Sequence, residues 1–298
     1  MFRRHFAAVL IVAAAAVTVT ACTTATPTTP MPKTALWKVT SAHRTLYITG
    51  DMNVSLKKYP VPAPMTRAFA ESGKLVFEGN PNPGKAKVMP LVMKLGLQPS
   101  GQKLGDDLNA SQLKLVKDAF SSVDVPFANV QHFRPWLAAV TLSGHLFLKF
   151  GVKPHQLHLY FYDEAKADKM PVTFLDTVAQ ELKMVADMPP KLQVNLLVMT
   201  AKEALEPNRS ERRARMIQAW RSGDMETVAK IADKGFQGYP QVYKVMVTSR
   251  HPRWLKTLES KLDELGKPVF VIVGGPHLFG PGNLLSGLRK AGYQVTQL

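Results

Sequence analysis

The sequence lacks several features that would point to particular classes of protein. Its 298 residues contain one cysteine, Cys22, which excludes an intramolecular disulfide and a cysteine-based zinc cluster. It has no Gly-x-Ser-x-Gly elbow of the kind that marks many serine hydrolases. No apolar run is long enough to cross a bilayer comfortably. Apolar residues (46%) and charged residues (20%) are at ordinary globular levels, which excludes a wholly disordered chain.

The N-terminus has the pattern of an export signal. A basic segment, 3–5, precedes an apolar run, 6–19, that is short for a hydrocarbon core of roughly 30 Å. The run ends in the quartet VTAC at 19–22, where a small residue precedes the cysteine. This quartet resembles the lipobox of bacterial lipoproteins, which implies cleavage before Cys22 and lipidation of its thiol. The alternative is an ordinary secretory signal that is cut near Ala21.

A Thr/Pro-rich segment follows the cysteine. Residues 23–32 read TTATPTTPMP and contain too few large apolar groups to pack, so we predict an extended tether. The predicted boundaries are a signal peptide at 1–21, a tether at 22–34 and a folded domain at 35–298. In bacterial lipoproteins an aspartate after the cysteine favours retention at the inner membrane. Thr23 stands there instead, so the resemblance implies a lipid anchor at the periplasmic face of the outer membrane.

Acidic residues are scarce relative to basic ones. The chain has 22 Asp and Glu against 38 Lys and Arg, a net charge of +16. Loss of Arg3 and Arg4 with the signal peptide would leave +16 − 2 = +14. We predict no nucleic-acid partner behind an export signal. Anionic lipid headgroups or acidic glycans are the natural counter-charges, and the alternative is a basic surface that is simply solvated.

Strand-like and helix-like segments alternate along the folded domain. The runs KLVFE at 74–78 and PVFVIV at 268–273 are typical of buried strands. Residues 136–150 predict a helix that is apolar on almost every side, and the pattern from 190 to 243 is helical throughout. These alternating segments predict an α/β fold, with a β-sheet flanked by helices and a central helical insertion.

Two distant segments share one pattern. Residues 45–53 (TLYITGDMN) and 269–277 (VFVIVGGPH) each consist of a five-residue strand, a glycine, two further residues and a polar side chain. A glycine at a strand end permits a sharp turn, and open α/β sheets place their sites at the carboxyl ends of strands. We therefore predict two pseudo-repeat strand–GxxH/N units that bring Asn53 and His277 to one crevice.

The order and spacing of several segments resemble the TraB/GumN family, whose relatives include the Tiki-type membrane metalloproteases. The matching segments are LWKV at 36–39, LVFE at 75–78, RPW at 134–136, LDTVAQE at 175–181 and GGPHLFG at 274–280. The resemblance covers nearly the whole folded domain. It implies a metal-dependent, peptidase-like hydrolase that acts on a peptide or related bond.

The resemblance also implies which residues form the site. In the family, two GxxH histidines, a strand-end glutamate and an Arg-Asn pair converge, and these positions correspond here to Asn53, Glu78, Arg250, His251 and His277. His277 and Glu78 would be ligands of a divalent metal, Mn, Co or Zn. If Glu78 is not a metal ligand, it would be the general base. Arg250 would stabilise the developing oxyanion.

Two of these positions depart from the family pattern. Asn53 replaces the first histidine, and His251 replaces the asparagine of the Arg-Asn pair. A neutral amide is a poor ligand for first-row metals, so metal binding would be weak or absent unless His251 or Asp51 compensates. The sequence leaves two functions open. One is a hydrolase of impaired activity, and the other is a non-catalytic envelope protein that binds a peptide or glycan in the retained pocket.

Structural roles are the alternative for the same residues. Glu78 could form a partly buried ion pair with Arg250. His277 could be a core histidine whose ring bonds to a backbone carbonyl. His158 has no partner at a motif-like spacing, so we assign it no functional role.

Overall fold

The computed structural model describes residues 33–54, 56, 59–149 and 156–298. The predicted signal peptide, Cys22 and nearly all of the tether lie outside the described residues. The folded part belongs to one compact unit, Pro32–Leu298. Among the described helices, none combines the length and apolarity that a membrane crossing requires.

A six-stranded mixed sheet organises the fold. Its strands are β1 (Leu36–Thr40), β2 (Thr45–Asp51), β3 (Lys74–Phe77), β4 (Val172–Phe174), β5 (Val269–Gly274) and β6 (Gln294–Gln297). The order across the sheet is β4-β3-β5-β2-β1-β6. Neighbours from β4 to β2 pair in parallel, while β1 is antiparallel to both β2 and β6. The predicted α/β fold is confirmed.

The strands of the two pseudo-repeat units lie side by side. In β5, Val269 to Val273 are all buried, as expected for a parallel strand covered on both faces. The pairing register sets Gly50 of β2 opposite Val273 and Asp51 opposite Gly274. The two glycines are therefore offset by one residue, although both strands end at the same edge of the sheet.

Helices cover the sheet and form the insertion. They are α1 (Ala63–Glu71), α2 (Lys85–Gly96), α3 (Ala110–Ser121), α4 (Pro135–Lys149), α5 (Leu157–Ala167), α6 (Val178–Ala186), α7 (Pro190–Leu205), α8 (Arg209–Arg221), α9 (Met225–Phe236), α10 (Pro240–Met246), α11 (His251–Asp263), α12 (Pro276–Phe279) and α13 (Leu284–Lys290). Capping boxes begin two of them, since Asn109 accepts from the Gln112 N–H and Thr177 from the Gln180 N–H. The sequence analysis did not identify α2, whose Met89 and Met93 are exposed and blur its apolar face.

The insertion has a hydrophobic core of its own. One core packs around the sheet and includes the fully buried Trp220, Trp254 and Phe270. The second lies among α3, α4, α6 and α7, where Phe120 and Trp136 are buried. This arrangement confirms the predicted central helical insertion. It also places the insertion beside the carboxyl ends of the parallel strands, because Trp220 of α8 donates its indole N–H to Gly50 O at 2.8 Å.

Candidate functional site

Five polar residues from separate elements meet at the carboxyl edge of the sheet. Glu78 follows β3 directly, Asp176 follows β4 by two residues, and His277 lies on α12 just after β5. Arg250 and His251 come from the start of α11 and the turn before it. Parallel strands end at a common edge, which is why residues far apart in sequence converge there. We call these five residues the Arg250 cluster.

The Arg250 guanidinium lies at the centre of this cluster. Its Nη1 is 2.7 Å from Glu78 Oε1 and 3.2 Å from Asp176 Oδ2. Its Nη2 donates to Met246 O at 2.6 Å and lies 2.7 Å from His277 Nε2. The Arg250 side chain is only 10% exposed. Glu78 and Arg250 therefore form the partly buried ion pair that was one of the two alternatives. The Asp176 carboxylate pairs with the same guanidinium.

Both oxygens of Glu78 are engaged. Oε1 bonds to Arg250, and Oε2 accepts the Gly274 N–H at 2.7 Å. Burial by itself would raise the pKa of the Glu78 carboxyl. The Arg250 guanidinium and the Gly274 N–H hold this pKa well below its usual range. Glu78 is thus a carboxylate at neutral pH, bonded through both of its oxygens.

Asp176 is a buried part of the site to which the sequence analysis gave no role. Its side chain is 1% exposed, and Oδ1 accepts from Trp254 Nε1 at 3.0 Å and from Arg253. Arg253 also donates to Leu175 O at 2.6 Å. Asp176 stands just past the end of a strand, as Glu78 does, and this position is the sequence signal that could have identified it.

The two histidines form a directional hydrogen-bonded chain. His251 Nδ1 is 2.8 Å from Gly282 O, which can only accept, so this nitrogen carries a proton. Burial lowers the pKa of His251 to about 4, so the ring is neutral near pH 7 and its Nε2 accepts. His277 Nδ1, 2.9 Å away, must therefore donate. His277 Nε2 is left to accept from Arg250.

Glu181 is the second site residue that the sequence analysis missed. Its carboxylate packs directly against Gly79, where a Cβ would leave it no room. Burial and the negative charges of Glu78 and Asp176 raise the pKa of Glu181, the Arg250 guanidinium lowers it, and together they bring it to about 7. This carboxyl can therefore exchange a proton near neutral pH.

Asn53 and Asp51 lie on a different side of the strand ends. Asn53 has φ = 50°, a left-handed conformation that asparagine tolerates better than most residues. Its N–H donates to Asp51 Oδ1 at 2.9 Å, and its carbonyl accepts from Arg213 at 2.6 Å. Asp51 Oδ2 also bonds to His158, a partner that sequence spacing did not reveal. Within the described part of the chain, Asn53 has no hydrogen bond to the Arg250 cluster.

A cavity of about 350 Å³ opens beside Asn53 and Asp51. It lies between the end of β2, the α12 turn and helices α4, α7, α8 and α9. Its apolar lining includes Met52, Leu146, Phe147, Met199, Met216, Ile231, Phe236, Pro276 and Phe279. Its charged lining is Asp51, Glu203, Arg209, Arg212 and Arg213. No member of the Arg250 cluster lines it.

The donors of the Arg250 cluster, as placed, do not fit a divalent metal. A metal ligand must offer a free lone pair, but that of His277 Nε2 accepts from Arg250 and that of His251 Nε2 accepts from His277. Each Glu78 oxygen already accepts one hydrogen bond, and its remaining lone pairs are the only ones left free among these three side chains, while Asn53 lies at the cavity. Across residues 33–54, 56, 59–149 and 156–298, no group of three or more His, Cys, Asp and Glu side chains is placed to hold a metal ion. Arg250 supplies the positive charge that faces Glu78 and Asp176.

Comparison with known protein families gives a match over nearly the whole folded domain. Residues 35–297 match the TraB/PrgY/gumN family. The match spans the sheet, the insertion, the Arg250 cluster and the cavity. A comparison with curated proteins finds no match.

Proposed function

The chain belongs to the TraB/PrgY/gumN family, and on that premise we propose that it is a non-catalytic binding protein of the cell envelope. The proposal places a lipid anchor at Cys22 and a ligand in the cavity beside Asn53. A peptide or glycan is the partner that the family resemblance leaves open for such a protein.

One observation carries this proposal, the internal bonding of the Arg250 cluster. The guanidinium contacts Glu78, Asp176 and His277 at 2.7 to 3.2 Å. A metal ion in the same place would have to displace a positive charge from two carboxylates. A divalent ion would bring its own charge to these carboxylates, but it would also lie beside the Arg250 guanidinium, which carries a charge of the same sign. This repulsion supports a site that keeps the fold of the family without its metal chemistry.

The cavity supports a binding role. Its volume of about 350 Å³ lies within the range of small-molecule sites, which are mostly apolar with a few convergent polar groups. The cavity wall has the same composition. Because the α12 turn separates it from the Arg250 cluster, a ligand can occupy it without disturbing the ion pairs.

A metal titration of the full-length protein tests the proposal. We would add Mn²⁺, Co²⁺ or Zn²⁺ to the native protein and to H277A, and measure thermal stability and bound metal. The exposed His43 provides a matched control, H43A, for adventitious binding. We expect no stabilisation of any of the three. A metal present at a hundred times its dissociation constant would add about 2.7 kcal/mol, and such a gain in the native protein but not in H277A would overturn the proposal.

A metal-dependent hydrolase is the second candidate, and one observation favours it. Glu181 lies beside the cluster with a pKa near 7, the range suited to a general acid or base. The outcome that overturns the binding proposal supports this candidate. The next experiment would then be peptide hydrolysis by native protein and by E181Q.

The proposed anchor has a separate test. Cells grown with a labelled fatty acid should label the native protein and not C22S. T23D keeps the cysteine and adds the aspartate that favours inner-membrane retention in lipoproteins. We expect native protein in the outer-membrane fraction and T23D in the inner-membrane fraction. Absence of label from the native protein would contradict the lipoprotein assignment.

A further inference from the structure

The cavity beside α12 has an apolar wall that offers few hydrogen-bonding groups. Phe147, Met199, Met216 and Phe236 are among its side chains. A peptide backbone or a sugar ring placed against them would bury N–H, C=O or hydroxyl groups without hydrogen-bond partners, which is unfavourable for each group. An aliphatic chain has no such groups and gains free energy from burial. The apolar wall therefore favours a hydrocarbon chain.

The charged wall has an excess of one positive charge. Arg209, Arg212 and Arg213 line the cavity together with Asp51 and Glu203, so the sum is +3 − 2 = +1. Arg212 bonds to Glu203 through Nη2, and a guanidinium has five N–H donors in a fixed fork. Its side chain is 19% exposed, so most of it is already removed from water. A single carboxylate would balance the excess charge.

We propose that the cavity binds a linear aliphatic monocarboxylate, with the carboxylate at Arg212 and the chain along the apolar wall. This inference rests on the proposed binding function and replaces the peptide or glycan with a smaller, simpler ligand. The Met-rich lining suits chains of variable shape, because methionine side chains adapt to irregular surfaces.

Binding of dodecanoate to the full-length protein, below its micelle concentration, tests the proposal. We would measure its dissociation constant by calorimetry, with dodecanol as the uncharged probe. Charge-assisted hydrogen bonds are worth roughly 1.5–3 kcal/mol, and 1.4 kcal/mol is a factor of ten. We therefore expect dodecanol, and dodecanoate with R212Q, to bind at least tenfold more weakly. R215Q is the matched control, because Arg215 is exposed on the same helix outside the cavity lining.

A second variant tests the place of the chain without changing charge. Gly235 lines the cavity, and a Cβ there would meet no atom within 4 Å. G235M should fill the cavity and weaken dodecanoate binding at least tenfold. Gly144 on α4 is equally open but lies outside the lining, so G144M should bind like the native protein. Circular dichroism would verify that each variant is folded.

The outcomes separate this inference from the proposed function. If native protein does not bind dodecanoate, or binds dodecanol equally well, the inference is wrong. Equal binding by G235M would also overturn it, because the chain would then lie elsewhere. None of these results bears on the metal titration, which tests the proposed function alone. Conversely, metal binding at His277 would overturn the proposed function even if dodecanoate occupied the cavity.

Discussion

The Arg250 cluster and the cavity lie on opposite sides of the short α12 helix and differ in how their space is filled. On one side His277 faces a guanidinium held between two carboxylates. On the other side Pro276 and Phe279 border about 350 Å³ of open volume. In the Arg250 cluster, charged side chains occupy the space and bond to one another. In the cavity, the surrounding side chains leave the space open. The contrast is between a cluster whose charged groups bond to one another and an adjacent cavity that the side chains leave open.

The charged groups of the cluster depend on one another. Asp176 forms ion pairs with both Arg250 and Arg253. The His277 Nδ1–H donates to His251 Nε2, so the protonation of one ring fixes that of the other. A buried ion pair often adds little net stability over an apolar pair, but loss of one partner leaves the other charge without compensation. Substitutions in the cluster should therefore cost much more free energy than substitutions in the cavity wall.

The largest expected effect is that of R250M. This change leaves Glu78 and Asp176 without their shared cation, and we expect a loss of about 3–5 kcal/mol in the free energy of unfolding. Urea denaturation at pH 7 would measure it. R289M, at an exposed arginine on α13, is the control and should change stability by less than about 0.5 kcal/mol. A similarly small loss in R250M would remove the contrast between the two regions.

A smaller effect is expected for E181Q, and it depends on pH. The pKa of Glu181 is about 7 in the folded protein against 4.5 ordinarily, so the folded state binds the extra proton. Native stability should therefore fall as pH rises from about 4.5 through 7. E181Q lacks this loss and should exceed native stability at pH 8 by on the order of 2 kcal/mol, allowing for partial exposure. If the stability of native protein and that of E181Q changed equally with pH across this range, the raised pKa of Glu181 would be contradicted.

H251N should show the opposite dependence on pH. The pKa of His251 falls from 6.5 to about 4 on folding, so the unfolded chain binds the extra proton. Native stability should be lost as pH falls from 6.5 through 4. At pH 7, H251N should cost about 1 kcal/mol for the lost bond to His277, and this difference should shrink or reverse near pH 4. A constant difference from pH 7 to pH 4 would contradict the shift, because it would mean that His251 has the same pKa in the folded and unfolded states.

The smallest effects are expected for alanine substitutions of two glycines, which should change the free energy of unfolding in opposite directions. G235A on α9 adds a Cβ in open space and should stabilise by about 0.5–1 kcal/mol through helix propensity. G274A adds a Cβ 3.1 Å from Glu78 Oε2 and should destabilise, because Glu78 has no freedom to move away. Thermal unfolding of both variants would show the difference. If G274A also stabilised the protein, Glu78 would have moved to make room for the new methyl group, and the cluster would adapt as easily as the cavity wall.

The sequence allowed prediction of the strands and many of the helices, since these depend on local patterns. The alternation of β-rich runs and amphipathic segments predicts α/β, and the apolar 268–273 run is a central strand as expected. Helix starts also depend on local signals, since the Asn109 side chain caps α3. α2 could not be predicted from its periodicity, because tertiary packing left its Met89 and Met93 exposed.

The two pseudo-repeat units show the limit of motif reasoning. Their spacing is the same, but the structure separates Asn53 from His277. The register offsets Gly50 and Gly274 by one residue, and side chains on a strand change face with every residue. In addition, Asn53 has a left-handed backbone while His277 lies in the α12 turn. Equal spacing therefore brought the two side chains to different sites.

By itself, the sequence determined which segments become strands and helices and which polar residues stand at strand ends. Only the tertiary structure decided which of those residues meet. The order of the sheet brings Glu78 and Asp176 beside residues about 75 to 200 positions away, such as Arg250 and His277. Their contacts depend on strand pairing and helix packing between distant segments. Local periodicity records burial along one element, and it contains no information about which elements become neighbours.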